Sequence, residues 1–543
     1  MWLKRRKHKL QSARVAWRVV GSLAKTRVVD VRRSGQGFPI GKNLVCALLL
    51  TAAAAQIFTF TRFELLQIHT PFSLNFGEGH LVWMAMQITN AHAAYQPVDH
   101  IPFIVYPYMP LYMLVVRLLN SGNLLMTGRW ITLGSTLALT GIVGGTVLAS
   151  TPKAPMQWKL AGAAASVGLL LTMNSVIVCA PLMRIDMLAL LFSIAGFATF
   201  ILLGRQQAGS YAGPMFFVLA VFTKQVCIAA PIACLIVGLL ANWRQTFRAY
   251  GAAVVLGLAG LAGGSLFYGR LFLSHTITYN VAPYNLRNGL SRPLFHLIAG
   301  LPFVIIAMAS AITILIRAAH SGEGWLAWLR MRMQASLFDR AVISGCAYFA
   351  MSTALLPLIG KWGADVNYFL DWDIASAFLA GLFVFKMMNG RRGEGVWKRL
   401  LLASLLVPAV FVFVLIDLYP AILTTVRTNA EAQSIPAAQA ARVVEMIRET
   451  PGTVFSEDML LSLMGGKPPI IEMASVNYMR MKGRWDDRPL VEMIDQRRFG
   501  LIVSYGIDNI DRYSPDMTVA ISRNYILSEH LGEYYLFRPA PRQ

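Results

Sequence analysis

Long apolar runs separated by short polar loops limit what this 543-residue chain can fold into. Their lengths lie near the ~20 residues with which an α-helix crosses a bilayer, whereas a membrane barrel needs alternating segments of ~10 residues. The charged fraction is only 14%, well below the ~25% of soluble domains. The sequence therefore predicts an α-helical polytopic membrane protein with about 11–13 transmembrane helices. The predicted spans are 43–62, 106–121, 129–149, 159–180, 185–204, 213–223 with 226–242, 250–270, 293–317, 341–359, 370–388 and 399–418.

The charge of the chain is strongly positive but unevenly placed. The formal net charge is +22, and residues 1–42 contain twelve Lys and Arg against the single acid Asp30. Further cations recur in short loops around residues 244, 317–340 and 391–399. This distribution follows the positive-inside rule and adds attraction to anionic lipid headgroups, so it argues against a nucleic-acid partner. We expect a basic cytoplasmic arm at 1–42 and a transmembrane domain at 43–419, in a bacterial inner membrane.

The chain changes character after residue 419. Residues 420–543 are charged and amphipathic, with short strand-like runs. They predict a small C-terminal α/β domain on the extracytoplasmic side, because the cation-rich loops before it are cytoplasmic. The same alternation places the loops 274–288 and 361–369 outside. The early topology stays open: three apolar segments separate Glu78 from Arg184, so if both residues face outside, one segment does not cross.

The first outer loop, 63–105, holds the acid with the clearest catalytic context. Glu78 lies between two glycines, and no Lys or Arg occurs between Arg62 and Arg117. An unpaired carboxylate is ionised at pH 7 and can take a proton from an acceptor hydroxyl. We therefore predict Glu78 as the catalytic base. The simpler alternative is a solvated carboxylate at the membrane interface.

Several motifs resemble those of the GT-C superfamily, polytopic glycosyltransferases that use polyprenyl-phosphate sugars. That superfamily includes the protein O-mannosyltransferases and the lipid A aminoarabinose transferases. The resembling motifs are Gly77-Glu78-Gly79, Ala93-Ala94-Tyr95, Tyr106-Pro107-Tyr108-Met109-Pro110-Leu111-Tyr112, Arg184-Ile185-Asp186, Thr223-Lys224-Gln225 and the runs 280–285 and 361–369. In the superfamily an acidic residue of the first outer loop, often within an Asp-Glu pair, is the base or binds the acceptor. Gly77 stands at the first acidic position here, so the resemblance gives this role to Glu78 alone.

The resemblance also implies a site for the phosphate of the donor, formed by Arg184, Lys224 and Lys361. A lone cation in apolar sequence is costly unless it is paired or lines a wet cavity. Lys224 has no acidic neighbour in sequence and so needs a distant carboxylate or an anionic ligand. Arg184 has Asp186 two residues on and Lys361 has Asp365 four residues on, so mutual neutralisation or solvation remains the alternative for these two.

Further polar and aromatic residues near these motifs are candidates for contacts to the substrates. They are Tyr106, Tyr108, Tyr112, Asp186, His275, Asn280, Asn285, Asp365, Asn367 and Tyr368, with Asp371 beside them. The tyrosines have an alternative role as an interfacial aromatic belt. Glu78 and His80 are weak candidates for a divalent metal, because imidazole and carboxylate are ordinary ligands, but their spacing fits no metal motif.

The resemblance thus implies an inverting glycosyltransferase on the outer face of the membrane. Its expected partners are a polyprenyl-phosphate sugar donor, a lipid, glycan or protein acceptor, and membrane lipid. No cofactor is certain, and a divalent metal is a possibility. The main alternative is a transporter or flippase of a lipid-linked sugar, which would also place charges within the membrane.

Overall fold

Apolar helices make up most of the chain in the computed structural model, which describes residues 39–280, 282–389 and 434–541. The predicted basic arm lies outside these residues up to residue 38, and the predicted span 399–418 lies outside them entirely. The helices before residue 390 are α1 (Pro39–Ile68), α2 (Gly77–Gln87), α3 (Leu111–Leu118), α4 (Leu124–Ala149), α5 (Met156–Thr172), α6 (Asn174–Cys179), α7 (Asp186–Leu203), α8 (Gln207–Thr223), α9 (Ala229–Tyr268), α10 (Leu286–Ala299), α11 (Leu301–Ala319), α12 (Trp325–Ala335), α13 (Leu337–Leu355) and α14 (Leu370–Asn389). Single helical turns cover Leu271–Leu273, Ser274–Thr278, Leu356–Gly360 and Val366–Tyr368.

Six segments within the described residues are helical, long and apolar enough to cross a membrane. They are Lys42–Ile68, Leu124–Ala149, Asp186–Leu203, Ala229–Tyr268, Leu301–Ala319 and Leu337–Gly360. The sequence predicted about 11–13 spans of ~20 residues. Two of the predicted spans, 159–180 and 213–223, fall on α5 and α8. These helices have 17 residues each and are therefore slightly shorter than this length. The helical membrane fold expected from the sequence is confirmed.

Helix α9 reverses its direction part-way along. Its backbone leaves helical geometry at Asn242, with φ −153° and ψ 87°. The hydroxyl of Tyr250 donates a hydrogen bond to the carbonyl of Pro231 at 2.8 Å, although a straight helix would separate these residues by about 28 Å. The chain therefore folds back at Asn242, and α9 has two arms, as the separate predicted spans 226–242 and 250–270 require.

The structure resolves the early topology. Helix α3 has eight residues and is about 12 Å long, too short for the ~30 Å of hydrocarbon, so the predicted span 106–121 does not cross. The other two predicted spans, 129–149 and 159–180, correspond to α4 and α5. These helices carry the chain away from this end of the helices and back to it. Glu78 and Arg184 accordingly lie at the same end of the helices, where the amide of Met183 donates to Glu78 Oε1 at 2.8 Å.

The membrane helices pack around a central group formed by α4, α5, α7 and α14. Helices α5 and α14 approach very closely at Gly162 and Gly381, where a Cβ on either glycine would lie 2.7 Å from the carbonyl oxygen of the other. Small residues at such a crossing let two backbones meet, which favours helix association within lipid. This core fixes the ends of the helices and the loops that join them.

The C-terminal residues form a small α/β domain, as predicted. Its elements are α15 (Ser434–Glu449), β1 (Thr453–Ser456), α16 (Met459–Met464), α17 (Met473–Met481), α18 (Arg488–Asp495), β2 (Phe499–Ser504), α19 (Pro515–Asn524), β3 (Tyr525–Leu531) and β4 (Tyr534–Pro539). The sheet has the order β1-β2-β4-β3, in which β1 and β2 are parallel and the other neighbours antiparallel. Apolar side chains cover both of its faces.

The first outer loop is built into this C-terminal domain. Phe103 pairs with Ile471 in an isolated parallel bridge, and its amide donates to the carbonyl of Ile470 at 2.7 Å. The indole of Trp485 donates to the carbonyl of Val98 at 2.6 Å. Val98 and Phe103 are both buried in the apolar core of the domain. The domain is therefore held against the membrane helices through this loop.

Candidate active site

A cavity of about 500 Å³ lies where the first outer loop, the ends of the helices and the C-terminal domain meet. The helical part contributes Tyr108, Arg184, Lys224, Gln225, Asn280, Lys361, Trp362, Asp365, Asn367 and Tyr368 to its wall, and the first outer loop contributes Asn75, Phe76, Gly77 and His80. The C-terminal domain contributes Glu472, Ser475, Tyr478, Asp511 and Arg512. Residues far apart in sequence thus share one polar chamber.

Asp186 is the centre of a charged cluster on the helical wall. It is the first residue of α7 and only 1% exposed. Lys224 Nζ forms an ion pair with its Oδ1 atom, Arg184 Nε lies 3.4 Å from Oδ2, and Asn367 Nδ2 donates to Oδ1 at 2.8 Å. One carboxylate therefore faces two cations, and the cluster keeps a net positive charge. Of the two partners that the sequence context of Lys224 predicted, a distant carboxylate or an anionic ligand, Asp186 is the carboxylate.

Lys361 reaches the cavity from the loop after α13. Its Nζ donates to the side-chain oxygen of Asn280 at 3.0 Å and to the carbonyl of the same residue at 3.5 Å. Asp365 instead accepts a hydrogen bond from the amide of Val366 at 2.8 Å. Burial lowers the pKa of Lys361, and the positive charge of Lys224 lowers it further. Lys361 therefore belongs to the same electrostatic site as Lys224, and an anion placed between them would be attracted by both.

The predicted substrate residues divide into two groups. Tyr108, Asn280, Asp365, Asn367 and Tyr368 line the cavity. Asp186 and Asp371 line a smaller space beside it, together with Lys224. The structure thus brings these predicted substrate residues together around the cavity and the smaller space beside it.

The other predicted substrate residues have structural contacts and do not line the cavity. The hydroxyl of Tyr112 donates to the carbonyl of Gly128 at 3.0 Å. His275 Nδ1 accepts from the amide of Tyr106 at 3.0 Å, and its other nitrogen lies 2.7 Å from a backbone carbonyl. Asn285 caps helix α10 through its side-chain oxygen. The structure therefore places these four residues away from the cavity instead of bringing them together at the predicted site, and it engages the side chains of Tyr112, His275 and Asn285 in hydrogen bonds elsewhere.

Glu78 is likewise engaged, which corrects its prediction as the base. It is completely buried and forms a two-pronged ion pair with Arg129, whose Nε lies 2.8 Å from Oε1 and whose Nη2 lies 2.7 Å from Oε2. The amides of Leu74 and Met183 donate to the same carboxylate at 2.7 Å and 2.8 Å. A carboxylate offers about four lone-pair sites, and all four are used. Glu78 is neither unpaired nor placed to accept a proton from a substrate.

Arg129 completes this buried network. Besides Glu78, it donates to the carbonyls of Ile68, Thr70 and Phe72. All five guanidinium protons therefore have acceptors. The network fixes the loop after α1 and holds Met183, the neighbour of Arg184, in place. The network thereby positions the part of the cavity wall that carries Arg184.

The overall fold was compared with known proteins. No protein-family model and no curated protein matches the sequence. The crystal structure of ArnT from Cupriavidus metallidurans bound to undecaprenyl phosphate superposes with a TM-score of 0.53 at 16% identity, covering 90% of this chain and 99% of that chain. The apo structure of the same protein gives 0.54 at 14% identity, covering 90% and 100%. ArnT is a lipid A aminoarabinose transferase of the GT-C superfamily. This chain has the GT-C fold. At such identities the likeness shows the fold alone.

In this GT-C fold the C-terminal domain supplies a wall of the cavity for which the sequence predicted no residues. Glu472 is 3% exposed and caps α17 by accepting from the amides of Ala474 and Ser475. The guanidinium of Arg512 lies 3.5 Å from the centroid of the Phe76 ring. The sequence offered no motif for these residues, because they reach the cavity only through the pairing of the first outer loop with the domain.

The structure also bears on the weak metal candidates. Among the residues that the structure describes, no group of three or more His, Cys, Asp or Glu is close enough together to hold a metal ion. Glu78 has no free lone pair, and His80 Nε2 lies 2.7 Å from the carbonyl of Val105. Glu78 and His80 therefore do not provide free ligand atoms for one shared metal ion.

Proposed function

We propose that this protein is a membrane glycosyltransferase that moves a sugar from a polyprenyl-phosphate donor to an acceptor. The observation that carries the proposal is the meeting of Arg184, Lys224 and Lys361, from three separate segments, at one cavity at the ends of apolar helices. A cation cluster in this position suits a ligand with an anionic head and an apolar tail. ArnT, which has the same fold, binds undecaprenyl phosphate in its crystal structure.

The chemistry follows from the charge of the leaving group. When the bond between the sugar and the phosphate breaks, negative charge grows on the phosphate oxygen. Cations held in place before the reaction stabilise that charge without reorganisation, and hydrogen bonds to charged oxygens are the strong ones. Asp186 offsets part of the cost of burying Arg184 and Lys224 and holds their side chains toward the cavity. A single displacement of this kind inverts the configuration at the sugar carbon.

The proposed location is the outer face of a bacterial inner membrane. In support, the site lies at the end of the helices where the C-terminal domain packs. Cations lie at the turn of α9 near Arg244, in the last turn of α11 (Arg317) and in α12 (Arg330 and Arg332). This is the cation content expected of cytoplasmic segments. The acceptor is then a lipid, glycan or protein exposed on that face.

Replacement of Lys361 by Met tests the phosphate site. Lys361 donates to neutral oxygens, so its loss removes a charge from the cavity without stranding a buried acid. Because one charge-assisted hydrogen bond contributes about 1.5–3 kcal/mol, we expect the affinity for undecaprenyl phosphate to fall about 10–100-fold in nanodiscs. Lys482→Met, an exposed lysine of the C-terminal domain, is the matched control. Unchanged binding by Lys361→Met would contradict the proposed phosphate site.

The same preparation separates a transferase from a flippase of a lipid-linked sugar. A transferase releases free undecaprenyl phosphate from undecaprenyl-phosphate sugars when an acceptor is present. A flippase moves the intact donor between leaflets and releases none. Intact donor after prolonged incubation with wild-type protein and total membrane extract would therefore favour the flippase.

A further inference from the structure

All four acceptor sites of the Glu78 carboxylate are occupied by protein donors. The proposed reaction therefore lacks the base that the sequence predicted. His80 lies one helical turn beyond Gly77 on α2, and both residues line the cavity. Its side chain is largely buried at 6% exposure, yet it belongs to the wall shared with Arg184 and Lys224. An ionisable group in this position is available to a bound substrate in a way that Glu78 is not.

The ring of His80 is oriented by the backbone. Its Nε2 lies 2.7 Å from the carbonyl oxygen of Val105, and a carbonyl only accepts, so this nitrogen carries a proton. In the neutral ring Nδ1 is then the nitrogen with a free lone pair. Among the described residues, no hydrogen bond to Nδ1 is formed. Burial lowers the pKa of His80, against the raising effect of Glu472 and Val105, so the ring is neutral at pH 7 and able to accept a proton.

Glu472 lines the same cavity as His80, from the C-terminal domain. Its carboxylate favours the positive charge that His80 acquires on taking a proton. The helix cap formed with the amides of Ala474 and Ser475 keeps the carboxylate in place. A base that is neutral before the step and stabilised when charged after it suits general-base catalysis near neutral pH.

The two walls of the cavity differ in charge. The helical wall has the cations Arg184, Lys224 and Lys361 against the acid Asp365, whereas the wall from the C-terminal domain has Glu472 and Asp511 against Arg512. Arg512 is partly engaged, since its Nε lies 3.8 Å from Glu457. A second phosphate would be repelled by the two acids of this wall. A neutral group with hydroxyls would be accepted there, and Trp362 and Tyr478 offer aromatic faces at the same place.

We propose that His80 is the general base of the reaction and that the acceptor reacts through a neutral hydroxyl, as on a glycan, instead of through a phosphate or carboxylate. The inference rests on the proposed function. His80 Nδ1 takes the proton of the acceptor hydroxyl while the acceptor oxygen bonds to the anomeric carbon of the sugar. The bond from that carbon to the phosphate oxygen breaks, and the polyprenyl phosphate leaves with the electron pair.

The replacement His80→Gln tests the base. The amide of Gln can still donate to the carbonyl of Val105 but supplies no basic nitrogen. In full-length protein in nanodiscs with undecaprenyl-phosphate sugars, we expect release of undecaprenyl phosphate to fall by ~10²–10⁴ in kcat. Binding of undecaprenyl phosphate alone should stay within about two-fold, since His80 adds no charge to the phosphate site. His100→Gln, an exposed histidine of the same loop, should leave both unchanged.

Two further arms separate chemistry from structure. Imidazole at millimolar concentration should restore part of the turnover of His80→Gly, which a merely structural role would not allow. Alkyl glycosides should serve as acceptor probes and alkyl phosphates should not. Asp365→Asn is assayed beside it as the competing base, because Asp365 is the acid on the helical wall of the same cavity.

The outcomes that overturn the inference are distinct. Turnover of His80→Gln close to that of wild type overturns it, and so does transfer to alkyl phosphates in preference to alkyl glycosides. Loss of turnover in Asp365→Asn but not in His80→Gln assigns the base to Asp365. Wild-type protein that cleaves no donor overturns the proposed function and the inference together, whereas cleavage that does not need His80 overturns the inference alone.

Discussion

At the scale of single residues, the main finding is the difference between what Glu78 is and what its sequence context indicated. Its loop lacks cations in sequence, yet Arg129, 51 positions further on, pairs with it completely. A carboxylate with four donors is a structural anchor, because a proton or a substrate would have to displace one of them. The charge balance of this buried network therefore rests on a pair that the local sequence does not show.

The variant Glu78→Gln distinguishes the two roles. Removing one charge of a buried pair leaves the other uncompensated and costs about 3–5 kcal/mol, and the amide nitrogen of Gln would also face donors. We expect a large fall in the thermal unfolding midpoint and in the yield of monodisperse protein in detergent. Glu445→Gln, which breaks the exposed pair with Arg442, should change little, since exposed pairs contribute about 0–1 kcal/mol. A stable Glu78→Gln that binds donor but has lost turnover would instead restore Glu78 as the base.

Prediction of a contact from the sequence succeeded where one residue carries its own constraint. Lys224 inside apolar sequence had to find an anionic partner, and Asp186 is that partner. It failed where partners are interchangeable along the sequence: Tyr112 and His275 have polar groups that suit a substrate and a backbone carbonyl equally well. Burial decides between these uses, and burial depends on contacts that no local pattern encodes.

At the scale of elements, apolar length predicted most of the helices but not the way in which they connect. The run 106–121 is apolar enough for a span, yet Pro107 and Pro110 restrict the backbone before α3, and only Leu111–Leu118 is helical. The reverse turn in α9 lies at Asn242, just before the cations Arg244 and Arg248. The charge pattern did indicate a loop between two spans at this place. The docking of the first outer loop on the C-terminal domain was not predictable, because its single bridge joins residues more than three hundred positions apart.

The contact between α2 and α16 gives a prediction about two glycines. A Cβ on Gly79 would lie 2.3 Å from the amide nitrogen of Leu460, which is backbone and cannot rotate away. A Cβ on Gly77 would meet only the side-chain oxygen of Asn75, at 3.5 Å. We expect Gly79→Ala to lower stability by the about 1–3 kcal/mol of an overpacked contact, seen as a lower unfolding midpoint. Gly77→Ala should be neutral or slightly stabilising, and equal effects of the two variants would show that α2 does not pack on α16 in this way.

At the scale of the whole molecule, the first outer loop and the C-terminal domain meet at a buried carboxylate, Asp458, that links stability to pH. Asp458 accepts hydrogen bonds from the amide of Leu460 at 2.8 Å, from the hydroxyl of Tyr505 at 3.0 Å and from that of Ser73 at 3.3 Å. Burial raises the pKa of Asp458 from its ordinary 3.8 to about 6, and the charge of Glu78 adds to the shift. The ionised form is thus disfavoured in the folded protein although three donors serve it.

The sign of the effect follows from proton binding. Between pH 3.8 and about 6 the folded protein holds the Asp458 proton more tightly than the unfolded chain does, so its contribution to stability falls as pH rises through this window. Above the window the penalty is constant, at about 1–3 kcal/mol for a shift of this size. Asp458→Asn keeps an acceptor for Leu460 and Ser73 and removes the charge. We therefore expect its thermal unfolding midpoint to exceed that of wild type at pH 8, with the difference shrinking toward pH 4. Asp508→Asn, an exposed acid of the same domain, serves as the control, and a difference that grows toward low pH would show that Asp458 is stabilised as the anion.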